Sequence, residues 1–349
     1  MKFGKSFFNI FCAGAALTIL AGCSTHGNAG GGSSPDKAVG IAMDTVFDVT
    51  VYGDEPGALD ILEAAEELDT LVLSRYADSL ISSYDSSSDA SAVISGYDID
   101  LTGIIEKCDE INAESDGAFD IRLGALSDLW NIDTVAKNEA EFVLPSEEEI
   151  KTALSDRSVY DLGSVGKGVF LDLAYEMLRE NEASGAVISA GGSVLTYGEK
   201  NDGTDFRVAI ASPFKEKDGL YGVIDLKGTY FISTSGTYER MAEYEGVVYH
   251  HILDPATGYP AWIPEDIAAR KNVAGQEAFP VSVTVIAGSG LLSDALSTAC
   301  FVMGVNEGMQ LAGKYGAEVI YILDDGTCIY SDGLLKTEGE TVVFNLRDE

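Results

Sequence analysis

Histidine is nearly missing from this chain of 349 residues, which has only His26, His250 and His251. A zinc site built on several imidazoles is excluded by count, so a catalytic metal has to be held by oxygen, the preference of Mg²⁺ and similar hard cations. Cysteine is sparse and scattered. Cys12 and Cys23 fall in the N-terminal segment, leaving Cys108, Cys300 and Cys328 with no C-x-x-C spacing. An odd trio is no disulfide framework, and Cys108 and Cys300, among apolar neighbours, read as small core side chains. Basic residues are few: 22 Lys and Arg against 57 Asp and Glu give a formal net charge of −35. Such a surface repels phosphate backbones, which argues against nucleic acid as a partner. Beyond the first 22 residues no apolar run reaches membrane-spanning length.

The N-terminus carries an address. Lys2 and Lys5 precede an apolar run over residues 7–21, which ends in Leu20-Ala21-Gly22-Cys23. The layout is that of a signal peptide, and small residues before a cysteine look like a bacterial lipobox. The reading is a lipoprotein signal peptide over residues 1–22, lipidation at Cys23, and a Gly/Ser-rich flexible tether over 23–38. Residues 39–349 then form one domain, anchored on the extracytoplasmic side of a bacterial cell membrane.

Hydrophobic residues at 46% and charged residues at 23% are globular proportions. Phe47, Val49 and Val51 alternate with polar residues and predict a half-buried strand over 45–53. Helical spacing follows at Ile61, Leu62, Ala65, Leu68 and Val72, again at Leu101 to Ile111, and at Val169 to Leu178. From there short apolar runs predict strands over 186–189, 206–211, 222–226, 230–233, 247–252 and 281–287. A helix over 291–303 and strands over 318–323, 328–330 and 341–344 close the chain. Helices first and strands later, without β-α-β alternation, predict an α+β fold: one large domain of mixed and antiparallel sheets with flanking helices. Residues 259–280 read as a long loop, a length often tied to function.

Four segments carry the chemistry. Asp161-Leu162-Gly163-Ser164-Val165-Gly166-Lys167-Gly168 enters a helix, where backbone N–H groups either cap the helix or cradle phosphate. Its spacing is not that of a P-loop. Ser233-Thr234-Ser235-Gly236 follows a strand and reads either as a polar turn or as a close approach for a ligand. His250-His251-Ile252-Leu253-Asp254-Pro255-Ala256-Thr257-Gly258 runs from a strand into a turn and offers acid/base groups. Adjacent strand residues point to opposite faces, so only one of the two histidines faces a site. Asp294 and Thr298 are four apart on a helix, which puts two oxygens on one face. That pair is either part of a hard-cation site or a local helix device.

In order and wording these segments resemble the FAD:protein FMN transferase (ApbE) family. The resemblance also takes in Met43-Asp44-Thr45, Leu73-Ser74-Arg75-Tyr76, Gly117-Ala118-Phe119-Asp120, Ala190-Gly191-Gly192 and Thr234-Ser235-Gly236-Thr237-Tyr238. It implies Mg²⁺-dependent transfer of FMN from FAD to a Ser or Thr hydroxyl of an exported flavoprotein, such as a subunit of a membrane redox complex, with AMP released. It implies FAD contacts at Met43, Tyr76, Ala118, Phe119, Asp120, Asp161, Lys167 and Ile252. It implies Mg²⁺ ligands at Ser164, Asp294 and Thr298, and a catalytic role for His251. Ser193 departs from the family's usual Asn, and Ser297 stands where some members carry a second carboxylate. The rival readings are hydrolysis of FAD to FMN and AMP, and a lipoprotein that holds flavin without reacting.

The anchor is testable alone. Cys23→Ala, expressed in a bacterial host, is expected to leave the membrane fraction for the soluble one. Membrane partition equal to the parent's would sink the lipidation assignment.

Overall fold

The computed structural model describes residues 34–53, 55–75, 78–85, 87, 89–214, 219–270, 278–339 and 341–347. The signal peptide, Cys23 and Tyr76 lie outside the described residues. A hairpin of β1 (Asp36–Ala42) and β2 (Thr45–Tyr52) leads into α1 (Ala58–Leu68). A small hairpin, β3 (Ser91–Ile94) and β4 (Tyr97–Asp100), precedes α2 (Leu101–Glu114), α3 (Gly124–Trp130), α4 (Ile132–Ala136), α5 (Glu147–Ser155) and α6 (Gly166–Glu180). Strands β5 (Gly185–Ala190), β6 (Ser193–Gly198), β7 (Phe206–Ala211), β8 (Leu220–Leu226), β9 (Tyr230–Gly236), β10 (Met241–Tyr244) and β11 (Val247–His250) follow. Then come α7 (Pro264–Ala269), β12 (Pro280–Ala287), α8 (Gly290–Met303) and α9 (Val305–Lys314). Four short strands close the chain: β13 (Glu318–Leu323), β14 (Cys328–Tyr330), β15 (Leu334–Thr337) and β16 (Val342–Leu346).

The frame is an eight-stranded sheet in the order β1-β2-β5-β6-β9-β12-β13-β14, with every neighbour antiparallel. One face carries Phe47, Val49, Ile188, Leu195, Val283, Val285 and Tyr321 into a core shared with α1, α6 and α8. The other carries Val187, Val194, Ile232, Ile286 and Ile320 against a four-stranded sheet, β15-β16-β8-β7. That smaller sheet is mixed, since β16 runs parallel to β8. Being covered on both sides, β5 is buried at every position, as its unbroken run of small and apolar residues requires. A satellite core gathers Trp130, Ile150 and Tyr249. The α+β expectation therefore holds.

One contact fixes the helical layer. A Cβ on Gly168 would stand 2.2 Å from the Gly290 carbonyl oxygen, and a Cβ on Gly290 would stand 2.1 Å from the Gly168 carbonyl oxygen. The N-terminal turns of α6 and α8 thus touch backbone to backbone, which only glycine permits. Each helix then caps the other. The Asp172 carboxylate on α6 accepts the Gly290 and Leu291 N–H groups at 2.6 and 2.9 Å. Asp294 on α8 accepts the Gly168 N–H at 2.9 Å. Both satisfy donors that a helix start leaves open.

Some expectations change. Strands come first, because β1 pairs along the whole of β2. β1 begins at Asp36, so the domain starts before residue 39 and shortens the expected tether. Ser233 to Gly236 is not a turn: it stays in β9, where Gly236 pairs with Ser282 of β12. The strand expected over 247–252 ends at His250. The expected loop over 259–280 contains α7.

Gly168→Ala is expected to cost about 1–3 kcal/mol through overpacking. Gly313→Ala, at an exposed position of α9 with nothing within 4 Å of its Cβ position, is expected to stabilise by about 1 kcal/mol. Urea denaturation measures both. Equal effects at the two positions would remove the argument for the crossing.

Candidate functional site

Where α6 and α8 cross, the chain buries Asp294 together with several serine hydroxyls. Asp294 is 4% exposed. One of its oxygens is committed to Gly168. The other, Oδ1, has only a long bond from Ser193 Oγ at 3.3 Å and the Lys167 ammonium at 3.7 Å. Burial raises the Asp294 pKa, opposed by Lys167 and these hydrogen bonds. Asp172 is half-buried, and that desolvation pushes its pKa up to about 6.

A ladder of hydroxyls lines the sheet side of α8. Ser233 and Ser235 are two apart on β9 and so share a face. Ser233 Oγ lies 3.0 Å from Ser193 Oγ and 2.9 Å from Ser293 Oγ. Ser235 Oγ lies 2.8 Å from Ser297 Oγ and 3.3 Å from Thr298 Oγ1. Asp294 and Thr298 thus present oxygen to the same strip of sheet. The donor set is carboxylate and hydroxyl throughout, which fits a hard cation such as Mg²⁺. Ser164 stands in the turn before α6, three residues ahead of Lys167.

The two histidines part at the end of β11. His250 turns into the core. Its Nδ1 accepts the Ile252 N–H at 3.2 Å, so Nε2 carries the proton and donates to the Ala261 carbonyl at 2.8 Å. Its ring meets Phe301 edge to face. Both nitrogens are used, and burial pushes its pKa down to about 4. His251 turns the other way. Its Nδ1–H donates to the Arg240 carbonyl at 3.3 Å, which leaves the Nε2 lone pair free. Burial first, then Arg240, His250 and Lys167, hold its pKa well below 6.5. A neutral imidazole with a free Nε2 is a proton acceptor.

The remaining positions are each held by contacts of their own. The Asp161 N–H donates to the Ile121 carbonyl at 2.7 Å, which ties the Asp120 segment to the turn ahead of α6. Asp120 pairs with Arg157 at 2.7 Å and Asp161 with Arg75 at 3.3 Å. Phe119 and Ile252 are buried, and Ala118 is partly so. Met43 and Asp44 form the two-residue turn between β1 and β2, both with positive φ, 47° and 59°. That is the backbone of a type I′ turn, which usually takes Asn-Gly. Asp69 holds it by accepting the Met43 N–H at 3.1 Å. Met43 Sδ lies near Gly166, 3.9 Å from the Cβ position there. The turn after Ile252 is pinned by buried charge: Arg270 pairs with Asp254 at 2.9 Å and with Asp266 at 2.7 Å, over the Trp262 ring.

Residues 43–321 match the ApbE family. The chain belongs to the ApbE family. It is 28% identical to an FAD:protein FMN transferase of Vibrio cholerae, over 94% of this chain and 98% of that one. A protein of the same name from Treponema pallidum is 27% identical, over 92% and 93% of the two chains. Among solved structures, the ApbE protein of Thermotoga maritima superposes with a TM-score of 0.68 at 26% identity, covering 86% of this chain and 97% of that one.

In this ApbE-family chain the segment Thr234 to Tyr238 ends one residue before a further carboxylate. Glu239, next along, places Oε1 against Gly192, 2.8 Å from the Cβ position there. The residue as a whole is exposed, yet burial around its carboxylate raises its pKa. No local pattern marks it, because its neighbours are residues 167, 192 and 294. The side-chain partners of Ser193, Ser233 and Ser235 likewise lie on distant segments.

The state of His250 gives a pH test. Unfolded, it takes a proton near pH 6.5; folded, it resists until about pH 4. Between those values the unfolded chain binds more protons, so this contribution to stability is lost as pH falls. The stability gap between parent and His250→Asn is expected to narrow by roughly 2–3 kcal/mol from pH 7 to pH 4. A gap that stays constant in denaturation at the two pH values would contradict a neutral, buried His250.

Proposed function

We propose that the protein transfers FMN from FAD to a Ser or Thr hydroxyl of an exported flavoprotein, with Mg²⁺, while anchored through Cys23 on the outer side of a bacterial membrane. The observation that carries this is the neutral His251, its Nε2 free, which feels the charge of Lys167, the ion-pair partner of Asp294, in a chain of the ApbE family. Similarity to the FAD:protein FMN transferases supports the choice of substrate.

The step balances as follows. The acceptor oxygen attacks the phosphorus on the FMN side of the pyrophosphate, the bond from that phosphorus to the AMP oxygen breaks, and AMP leaves. The hydroxyl proton passes to His251 Nε2, whose lone pair is kept available by the Nδ1–H bond to Arg240. Asp294, Thr298 and Ser164 would hold the cation, which when bound neutralises phosphate charge and polarises the phosphorus. Lys167 supplies a further positive charge at the helix start. Asp120, Asp161, Phe119, Ala118, Met43, Tyr76 and Ile252 are assigned to binding FAD. The partners are acceptor flavoproteins of membrane redox complexes.

The test is in-gel flavin fluorescence after incubation with FAD, Mg²⁺ and candidate acceptors. His251→Ala is expected to lose roughly 10²–10⁴-fold in transfer rate while still binding FAD. Asp294→Asn is expected to lose the Mg²⁺-dependent rate. Unlabelled acceptor with FMN and AMP accumulating would replace transfer by hydrolysis. Bound but unreacted FAD would replace both by passive binding.

A further inference from the structure

We infer that Glu239 is a positioning residue that takes over the Lys167 ammonium when a divalent cation occupies the free oxygen of Asp294. This rests on the reading of Asp294 as a hard-cation ligand.

The geometry supplies the reason. Asp294 Oδ2 is fixed on the Gly168 N–H at 2.9 Å, so a cation has to come to Oδ1. The Lys167 ammonium already stands 3.7 Å from that oxygen. Two cations on one buried carboxylate oxygen repel, and the lysine is the mobile one, a point charge on a flexible four-carbon stem. It needs a second anion nearby, because an ammonium stripped of its partner in a recess is costly. Glu239 is placed to be that anion. Its Oε1 lies against Gly192, and the next residue, Ser193, hydrogen-bonds Asp294 Oδ1 itself. The two carboxylates thus flank the Gly192-Ser193 corner of the β5–β6 hairpin.

A Cβ at Gly192 would come within 2.8 Å of Glu239 Oε1 and 2.9 Å of the Thr234 carbonyl oxygen, so the glycine keeps room for the carboxylate. Burial raises the Glu239 pKa, and Lys167 is the strongest influence opposing it. The two groups therefore already sense each other. Yet among the described residues the ion pair formed by Lys167 is with Asp294. Glu239 is the unused half of a two-anion seat.

The experiment is calorimetric titration of the FAD-free protein with MgCl₂, with thermal unfolding to confirm that each variant folds. Asp294→Asn is expected to abolish binding. Lys167→Met is expected to tighten it, since the competing ammonium is gone. Glu239→Gln is expected to weaken it by roughly threefold to fivefold, the worth of a partly exposed ion pair. Adding Glu239→Gln to Lys167→Met is expected to change nothing further. Equal weakening in both backgrounds would overturn the exchange, since Glu239 would then act on the cation directly. No effect of Glu239→Gln in the parent would overturn it too, with the cation site intact. Undiminished binding in Asp294→Asn would instead overturn the cation site on which the inference rests.

Discussion

At Gly168 and Gly290 two helix starts touch through their backbones, and two carboxylates lock the contact crosswise. Much of the site hangs on this crossing. Asp294 reaches the start of α6 because the helices are that close, and Asp172 reaches the start of α8 for the same reason. A helix start carries open N–H donors and partial positive charge. Two such starts meet here beside Lys167. In a chain of net charge −35, Lys167 brings a positive charge to this corner, beside Asp294.

The sheet contributes by being covered on both faces. With α8 on one side and the four-stranded sheet on the other, polar side chains inside have to find partners or be expelled. The hydroxyls of Ser193, Ser233, Ser235, Ser293 and Ser297 do so by bonding one another. Several of those oxygens sit beside Asp294 and Thr298. The same burial sets the histidines: both are kept neutral, but His250 spends both nitrogens on backbone while His251 spends one. That difference makes His251 the residue with chemistry to offer.

Much was legible in the sequence. Period-2 and period-3.6 patterns placed β2, α1 and α6, and short apolar runs placed β7 and β12. The segments from Asp161 to Gly168 and from Asp294 to Thr298 were found because each is local. The alternation expected over 247–252 separated His250 from His251, although β11 itself ends at His250. Less legible was β1, whose Val39 and Ile41 stay exposed and give no burial signal. Residues 233–236 read as a turn because small hydroxyl residues favour turns, and pairing with β12 overrode that preference. α7 was hidden inside a segment judged by its length.

The sequence by itself determined the inventory: oxygen rather than imidazole for any metal, one histidine rather than two for a proton, and helices entered through glycine. Those follow from composition and from spacing along a single chain. Only the tertiary structure decided who stands beside whom. Lys167 beside Asp294, Glu239 against Gly192, and Ser235 beside Thr298 join residues 47 to 127 positions apart. No periodicity carries such a pairing, because it is set by the crossing of two helices over a sheet whose strand order is not the order of the chain.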